Sequence, residues 1–169
     1  MNEQAARQGA IIVRKASPED VAGLARVHVQ SWRETYRGQF PDAVLDAPDF
    51  ADRRERMWTR VLSGAAGAAS VAVAELDGRV VGLAWAGPAQ GDDAPCDWQL
   101  YTLYLLAAHQ GSGAGQRLID AVLEDRASVL WVADPNPRAQ AFYRRNGFVP
   151  DGATQGERPR EIRMVRAGR

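Results

Sequence analysis

The 169 residues are 46% hydrophobic and 25% charged, with 21 Lys and Arg against 21 Asp and Glu. That is enough chain for one domain with a real core, and its composition is that of a water-soluble globular protein. A formal net charge of zero leaves no basic field to hold nucleic acid by counterion release. No stretch approaches the roughly 20 apolar residues of a membrane span. Met1 to Ala10 is polar and lacks the apolar centre of a signal peptide. Cys96 is the single cysteine, and His28 and His109 lie far apart, so neither a disulfide framework nor a metal site is expected. The expectation is a soluble, cytoplasmic protein without nucleic-acid or membrane partners, with residues 1–10 a flexible tail and 11–169 a single domain.

In chain order, Ile11-Ile12-Val13-Arg14 reads as a first strand. Ser17-Pro18-Glu19-Asp20 opens a helix, with Ser17 as N-cap, Pro18 at the first helical position and acids at the positive dipole end. Val21, Leu24 and Val27 supply its apolar side, to about Ser31. An aromatic stretch from Trp32 to Pro41 follows, then a helix from Asp49 to Leu62. Ser70–Glu75 and Arg79–Trp85 flank Leu76-Asp77-Gly78, a hairpin signal. Gly87 to Asp97 is a loop. Trp98 to Leu105 is an aromatic and apolar strand leading into Gln110-Gly111-Ser112-Gly113-Ala114-Gly115, and Leu118, Ile119, Val122 and Leu123 then recur at helical spacing. Val129–Val132 is a short buried strand. Asn136-Pro137 starts another helix, with Ala139, Phe142 and Tyr143 inside and Gly147 past its end. Phe148-Val149 and Ile162–Val165 are last strands around a loop from Asp151 to Pro159. The order β-αα-ββ-β-α-β-α-ββ predicts a mixed α/β sheet with helices on both faces.

The glycine loop is the chemical centre. Residues without Cβ let a ligand approach the main chain, and a strand feeding a helix start aims unpaired N–H groups and the positive end of the dipole at one point. That combination suits phosphate. A P-loop requires Gly and Lys where Gln116 and Arg117 stand. A dinucleotide fingerprint requires its third glycine where Gln116 stands; Asp134 lies at the offset of a ribose-binding acid, but too few residues follow for a doubly wound sheet.

Gln110-Gly111-Ser112-Gly113-Ala114-Gly115 resembles the Gln/Arg-x-x-Gly-x-Gly/Ala signature of the GNAT superfamily of N-acetyltransferases, and Leu103-Tyr104-Leu105 resembles the strand before it. Asn136-Pro137-Arg138-Ala139-Gln140-Ala141-Phe142-Tyr143-Arg144-Arg145-Asn146-Gly147-Phe148 is similar to the family's Asn-x-x-Ala-x-x-Phe-Tyr-x-x-x-Gly-Phe segment. The resemblance runs from about Ile11 to Arg166 and is specific in the second half. It implies a mostly antiparallel sheet of six to seven strands, with the strands ending at Leu105 and Ala133 splayed apart. It also implies transfer of acetyl from acetyl-CoA to a primary amine of a small molecule or peptide, by direct attack in a ternary complex, without a metal. A homodimer is left open.

What the resemblance implies for individual residues follows. The main chain of Gly111, Ser112, Gly113, Ala114 and Gly115, with Gln110 and Gln116 at the edges, would hold the pyrophosphate. Main-chain groups of Leu103 and Leu105 would bind the pantetheine arm, an N–H near Leu105 facing the thioester carbonyl. Tyr143 matches the tyrosine that protonates the leaving thiolate, although a Tyr beside a Phe on a helix is otherwise core packing. Asn136 would contact the cofactor from its helix start, where an N-cap explains it equally well. Arg144 and Arg145 read better as a solvated helix face than as a contact to the 3′-phosphate.

Gln99 departs from the family, many of whose members carry a Glu there as base; strand alternation puts it on one face with Tyr101 and Leu103. Glu34, Glu75 and His28 remain as ends of a water chain. Trp32, Tyr36 and Phe40, with Trp85 and Tyr101 from the sheet, are expected to border the acceptor pocket, an assignment that aromatic core packing rivals. With Gln99 in place of a carboxylate, the alternative is a catalytically weak acetyl-CoA-binding sensor of the same fold.

Overall fold

The computed structural model describes residues 9–168, so most of the expected N-terminal tail lies outside the described residues. Seven strands make one sheet in the order β1-β2-β3-β4-β5-β7-β6. They are β1 Ile12–Lys15, β2 Ser70–Leu76, β3 Arg79–Pro88, β4 Trp98–Leu105, β5 Ser128–Asp134, β6 Val149–Gln155 and β7 Arg160–Arg166. Every neighbouring pair is antiparallel except β4 and β5. Helices α1 Val21–Tyr36 and α3 Phe50–Leu62 cover one face, where Leu24, Val27, Trp58 and Val61 pack on Val71, Val73 and Leu83. Helices α4 Ala114–Leu123 and α5 Pro137–Arg145 lie on the other, where Leu118, Ile119, Val122 and Phe142 meet Ala72, Ala84, Leu100, Leu130 and Met164. A short α2, Asp42–Leu45, buries Leu45 between α1 and α3 in sequence. Covered on both sides, β2 and β3 are nearly continuous apolar runs.

Local chemistry explains the joints. Asp77 and Gly78 both take positive φ, 50° and 78°, the turn whose twist matches a two-residue hairpin. Asp20 accepts from the Ser17 backbone N–H at 2.8 Å and pairs with Arg14 at 2.7 Å, while Arg14 also reaches Glu75 at 2.6 Å. This clamp ties the start of α1 to β1 and β2.

Two elements differ from the sequence expectation. Helix α1 runs on to Tyr36, so Trp32 and Tyr36 are helical; with His28 they recur at i, i+4 spacing and extend the buried stripe that a reading stopping at Ser31 misses. Strand β6 continues to Gln155 through the expected loop. It is an exposed edge strand carrying Pro150 and a register shift between Pro150 and Thr154, so no apolar alternation marks it.

The feature that positions the site is the parting of β4 from β5. The two pair only at Gln99–Val129 and Leu100–Leu130. Just beyond, Trp85 pairs with Thr102 while Ala86 pairs with Leu100, leaving Tyr101 as an extra residue on β4. Such a bulge bends its strand and increases the twist. It also corrects the expected alternation. Tyr101 stacks on Trp85, on the α1 side, whereas Leu103 and Leu105 pack with the α4 cluster. Gln99, Tyr101 and Leu103 therefore do not share a face.

Candidate active site

The loop from Gln110 to Ala114 is open to solvent up to the buried Ala114. Gly111 and Gly113 have φ of 84° and 80°, and a Cβ at either would meet nothing within 4 Å. Gly113 is the N-cap of α4, and its left-handed conformation turns the chain into the helix. Gly115 lies inside the first turn, its face against the Phe142 ring. Among the described residues, the N–H groups of Gly111, Gly113, Gly115 and Gln116 meet no intramolecular acceptor, while that of Ala114 is held by Ser112 Oγ at 3.3 Å. The side chain of Gln110 donates to the Leu105 carbonyl at 3.0 Å and so anchors the loop to the end of β4. The Gln116 side chain turns away to Asp120, at 3.0 Å, leaving its main-chain N–H facing the helix entrance.

Beside this loop lies the free edge of β4. The Leu106 N–H donates to the Val81 carbonyl at 3.0 Å. Antiparallel hydrogen bonding alternates, so the N–H and C=O of Leu105 and Leu103 point away from β3, into the gap that β5 leaves.

Tyr143 approaches the same gap from α5. The Phe148 N–H bonds to the Tyr143 carbonyl and the Gly147 N–H to that of Arg144, both at 3.0 Å, with Gly147 at φ 83°. This is the left-handed helix stop that glycine favours, completed by contact of the Phe148 and Tyr143 rings at 5.9 Å. The spacing Phe-Tyr-x-x-x-Gly-Phe is thus a device that holds Tyr143 in place. Its hydroxyl has no hydrogen-bond partner among the described residues. Burial, and secondarily Tyr36, push its pKa above the usual phenol value. Burial raises Tyr36 as well, with a smaller contribution from Glu161. Tyr104 is raised by burial and by Tyr36, against the hydrogen bond from Trp32 Nε1 at 2.9 Å. Tyr36, Tyr104 and Tyr143 therefore sense one another across the parted strands. A cavity of about 200 Å³ between Thr35, Tyr36 and Gln39 of α1 and Ala133, Pro135, Asn136 and Pro137 continues this space. Asn136 is the N-cap of α5, its Oδ1 accepting from the Ala139 N–H at 3.2 Å. A groove of about 560 Å³ along α3, lined by Asp52, Glu55, Arg56 and Arg60, shares no residue with this constellation.

On the α1 side the expected acceptor residues come together. Trp32 lies 5.2 Å from Tyr36 and 5.8 Å from Phe40, and Tyr36 and Phe40 are 5.3 Å apart. Trp85 stacks on Tyr101 at 4.7 Å, and the Tyr101 hydroxyl bonds to the Pro88 carbonyl. His28, expected only as the end of a water chain, and Trp58 of α3 join the two groups, at 6.1 Å from Trp32 and 5.8 Å from Trp85 respectively. Gln99 Oε1 faces the Gln90 N–H at 3.5 Å.

The expected bases fare differently. Glu75 is engaged with Arg14 at the far edge of the sheet. Glu34 accepts from the Ala107 N–H and from Gln30, both at 3.0 Å. Burial, and then Arg54, push His28 down to about 3, so it stays neutral and cannot hold a proton near neutrality. Glu161, held by Gln155 at 2.7 Å, is the carboxylate whose charge Tyr36 senses. It was illegible in sequence because only the β5–β7 register, Ala133 opposite Glu161, brings it here.

A mixed sheet parted beside a helix-capping glycine loop leaves a cleft edged by main-chain groups. The acetyltransferase (GNAT) family model matches residues 21–148, and the chain belongs to that family of enzymes. It is 34% identical over 134 residues to the uncharacterized N-acetyltransferase YuaI of Bacillus subtilis, covering 75% of this chain and 74% of that one. It is 30% identical over 151 residues to the probable N-acetyltransferase Rv2775 of Mycobacterium tuberculosis, covering 85% and 83%. Its fold is similar to that of PaiA N-acetyltransferase from Thermoplasma acidophilum, solved in complex with coenzyme A, with a TM-score of 0.75 at 19% identity over 94% of this chain and 99% of that one. Among the described residues no helix is long and apolar enough to cross a membrane.

Proposed function

We propose that the protein transfers the acetyl group of acetyl-CoA to a primary amine by direct attack in a ternary complex, residues 11–169 acting as one unit. The observation that carries this reading is the juxtaposition of unpaired amides at Gly111, Gly113, Gly115 and Gln116 with the strand edge of β4 at Leu103 and Leu105 that β5 leaves open, where only the Leu105 carbonyl is taken, by Gln110. The amides would take the diphosphate at the α4 entrance. The pantetheine arm would lie along β4 as a substitute strand, and the Leu105 N–H would stabilise the oxyanion that forms on the thioester carbonyl.

The amine would enter from the α1 side, between the aromatic wall and the gap. Its attack forms the C–N bond and breaks the C–S bond; the proton shed by nitrogen balances the one taken up by sulfur. Tyr143 remains protonated at neutral pH, because burial raises an already weak acid. Against a thiol near 8.5, complete transfer from even an unperturbed phenol near 10 is uphill by about 2 kcal/mol, and the burial of Tyr143 steepens it. Tyr143 therefore acts chiefly as a hydrogen-bond donor to the developing thiolate. Glu161, whose charge reaches Tyr36, is a carboxylate that could take the amine proton through water.

Gln99 in place of a carboxylate, with Glu34 and Glu75 bonded elsewhere, favours a second reading: a catalytically weak acetyl-CoA-binding sensor. Calorimetric titration with acetyl-CoA, followed by free-thiol release against a panel of amines, amino acids and peptide N-termini, tests both. Absence of acetyl-CoA binding at millimolar concentration sinks both readings, and binding without thiol release selects the sensor.

A further inference from the structure

Between α1, α3 and β4, polar side-chain atoms accumulate that the chain itself leaves unsatisfied. His28 Nδ1, Ser31 Oγ, Arg54 Nε, Trp58 Nε1 and Thr102 Oγ1 are out of solvent contact and have no hydrogen-bond partner. His28, Ser31, Trp58 and Thr102 are respectively 4%, 4%, 0% and 9% exposed. Folded proteins leave few such atoms, because each has lost water without replacement. These lie in one neighbourhood. The His28 ring is 6.0 Å from that of Trp58 and 5.0 Å from that of Tyr104, two residues along β4 from Thr102. Ser31 is one helical turn beyond His28. The Arg54 guanidinium lies 5.4 Å from the Trp32 ring, itself 6.1 Å from His28.

The set is rich in donors. Trp58 Nε1 and Arg54 Nε can only donate, and Ser31 and Thr102 can donate. Arg54 is the charge in the group. Its contacts are the rings of Trp32 and, at 5.1 Å, Phe50, with Met57 Sδ at 3.6 Å from Nη1, and among the described residues no carboxylate pairs with it. The chain pairs other half-buried arginines: Arg14 with Asp20 and Glu75, Arg163 with Asp93 and Asp151. A half-buried guanidinium without a counter-charge, beside orphaned donors on the acceptor side of the gap, suits an anion supplied by the ligand.

We infer that this corner receives a carboxylate of the acceptor, so that the acceptor is an amine carrying its own carboxylate, an amino acid or a close relative, with its apolar body along Trp32 and Tyr36. The inference rests on the amine-acetylation reading and deepens it, since an aromatic wall alone would equally admit a cationic body, which Arg54 repels.

Matched pairs test it: phenylalanine against phenethylamine and leucine against isoamylamine, with free-thiol release measured for the wild type, Arg54→Met and Arg54→Lys. The expected result is that the acid-to-amine ratio of kcat/KM falls about 10- to 100-fold in Arg54→Met, the weight of a charge-assisted hydrogen bond, and recovers in part in Arg54→Lys. A ratio unmoved by Arg54→Met overturns the inference while leaving acetyl transfer intact. A second arm does not need turnover: 3-phenylpropanoate, which has no amine, should raise the melting temperature of the wild type and not that of Arg54→Met. If it does so while no amine is acetylated, the carboxylate site stands and the transfer reading falls. If it raises neither or both, the carboxylate site falls.

Discussion

Neutral burial of His28 makes stability depend on pH in a calculable way. Its pKa is about 3 in the fold, from burial first and Arg54 second, against 6.5 in the unfolded chain. Between these values the unfolded chain binds a proton that the native protein does not. The depressed value therefore contributes stability that is complete above about pH 6.5 and is lost as pH falls toward 3. Lowering the pH from 7 to 5 should remove about 2 kcal/mol on this account, a sizeable part of the roughly 5–15 kcal/mol that holds a domain together. Urea unfolding of the apoprotein at the two pH values, for the wild type and His28→Gln, isolates the effect. Asp20, Asp46 and Asp151 are held below their ordinary values and stay ionised throughout this window. The variant's own loss of packing cancels in the comparison between pH values. Equal losses for the two proteins would refute the assignment of a buried, neutral His28.

Three further outcomes are expected. Tyr143→Phe should lower kcat by well over about tenfold, the scale of a lost hydrogen bond to a charged group, while acetyl-CoA affinity measured by calorimetry stays within about twofold; unchanged turnover removes Tyr143 from the chemistry. Gly113→Ala should cost about 1–2 kcal/mol for a side chain at φ 80°. Gly115→Ala, whose Cβ would make an ordinary 3.5 Å contact with Phe142 inside the helix, should be neutral or stabilising by up to about 1 kcal/mol. Thermal denaturation that ranks the two glycines in the opposite order would contradict the loop conformation. Gln99→Glu should raise kcat/KM near neutral pH by supplying a base on the acceptor side; a decrease would show that Gln99 orients the acceptor instead.

Much of the site is written in local sequence because local physics builds it. A run of glycines before an amphipathic helix implies exposed amides, and Gly111 and Gly113 have the positive φ that only such residues accept cheaply. Phe142-Tyr143 followed by Gly147-Phe148 carries its own helix stop, so the motif and the geometry are one fact. The Asp77-Gly78 turn is equally self-contained. Helix α1 past Ser31 and strand β6 past Asp151 were hidden, the first because its aromatic stripe looks like a loop rich in Trp and Tyr, the second because an exposed edge needs no apolar pattern.

What the amino-acid sequence determined alone was the order of elements, the amide loop and the placement of Tyr143, all set by contacts within a few residues. The tertiary structure decided which side chains meet. A bulge at Tyr101 reversed the faces of β4, the register of β7 brought Glu161 toward Tyr36, and packing of α3 on α1 joined Trp58 to His28 and Arg54 to Trp32. Those encounters depend on strand twist and helix packing between residues dozens of positions apart, and no local pattern encodes them.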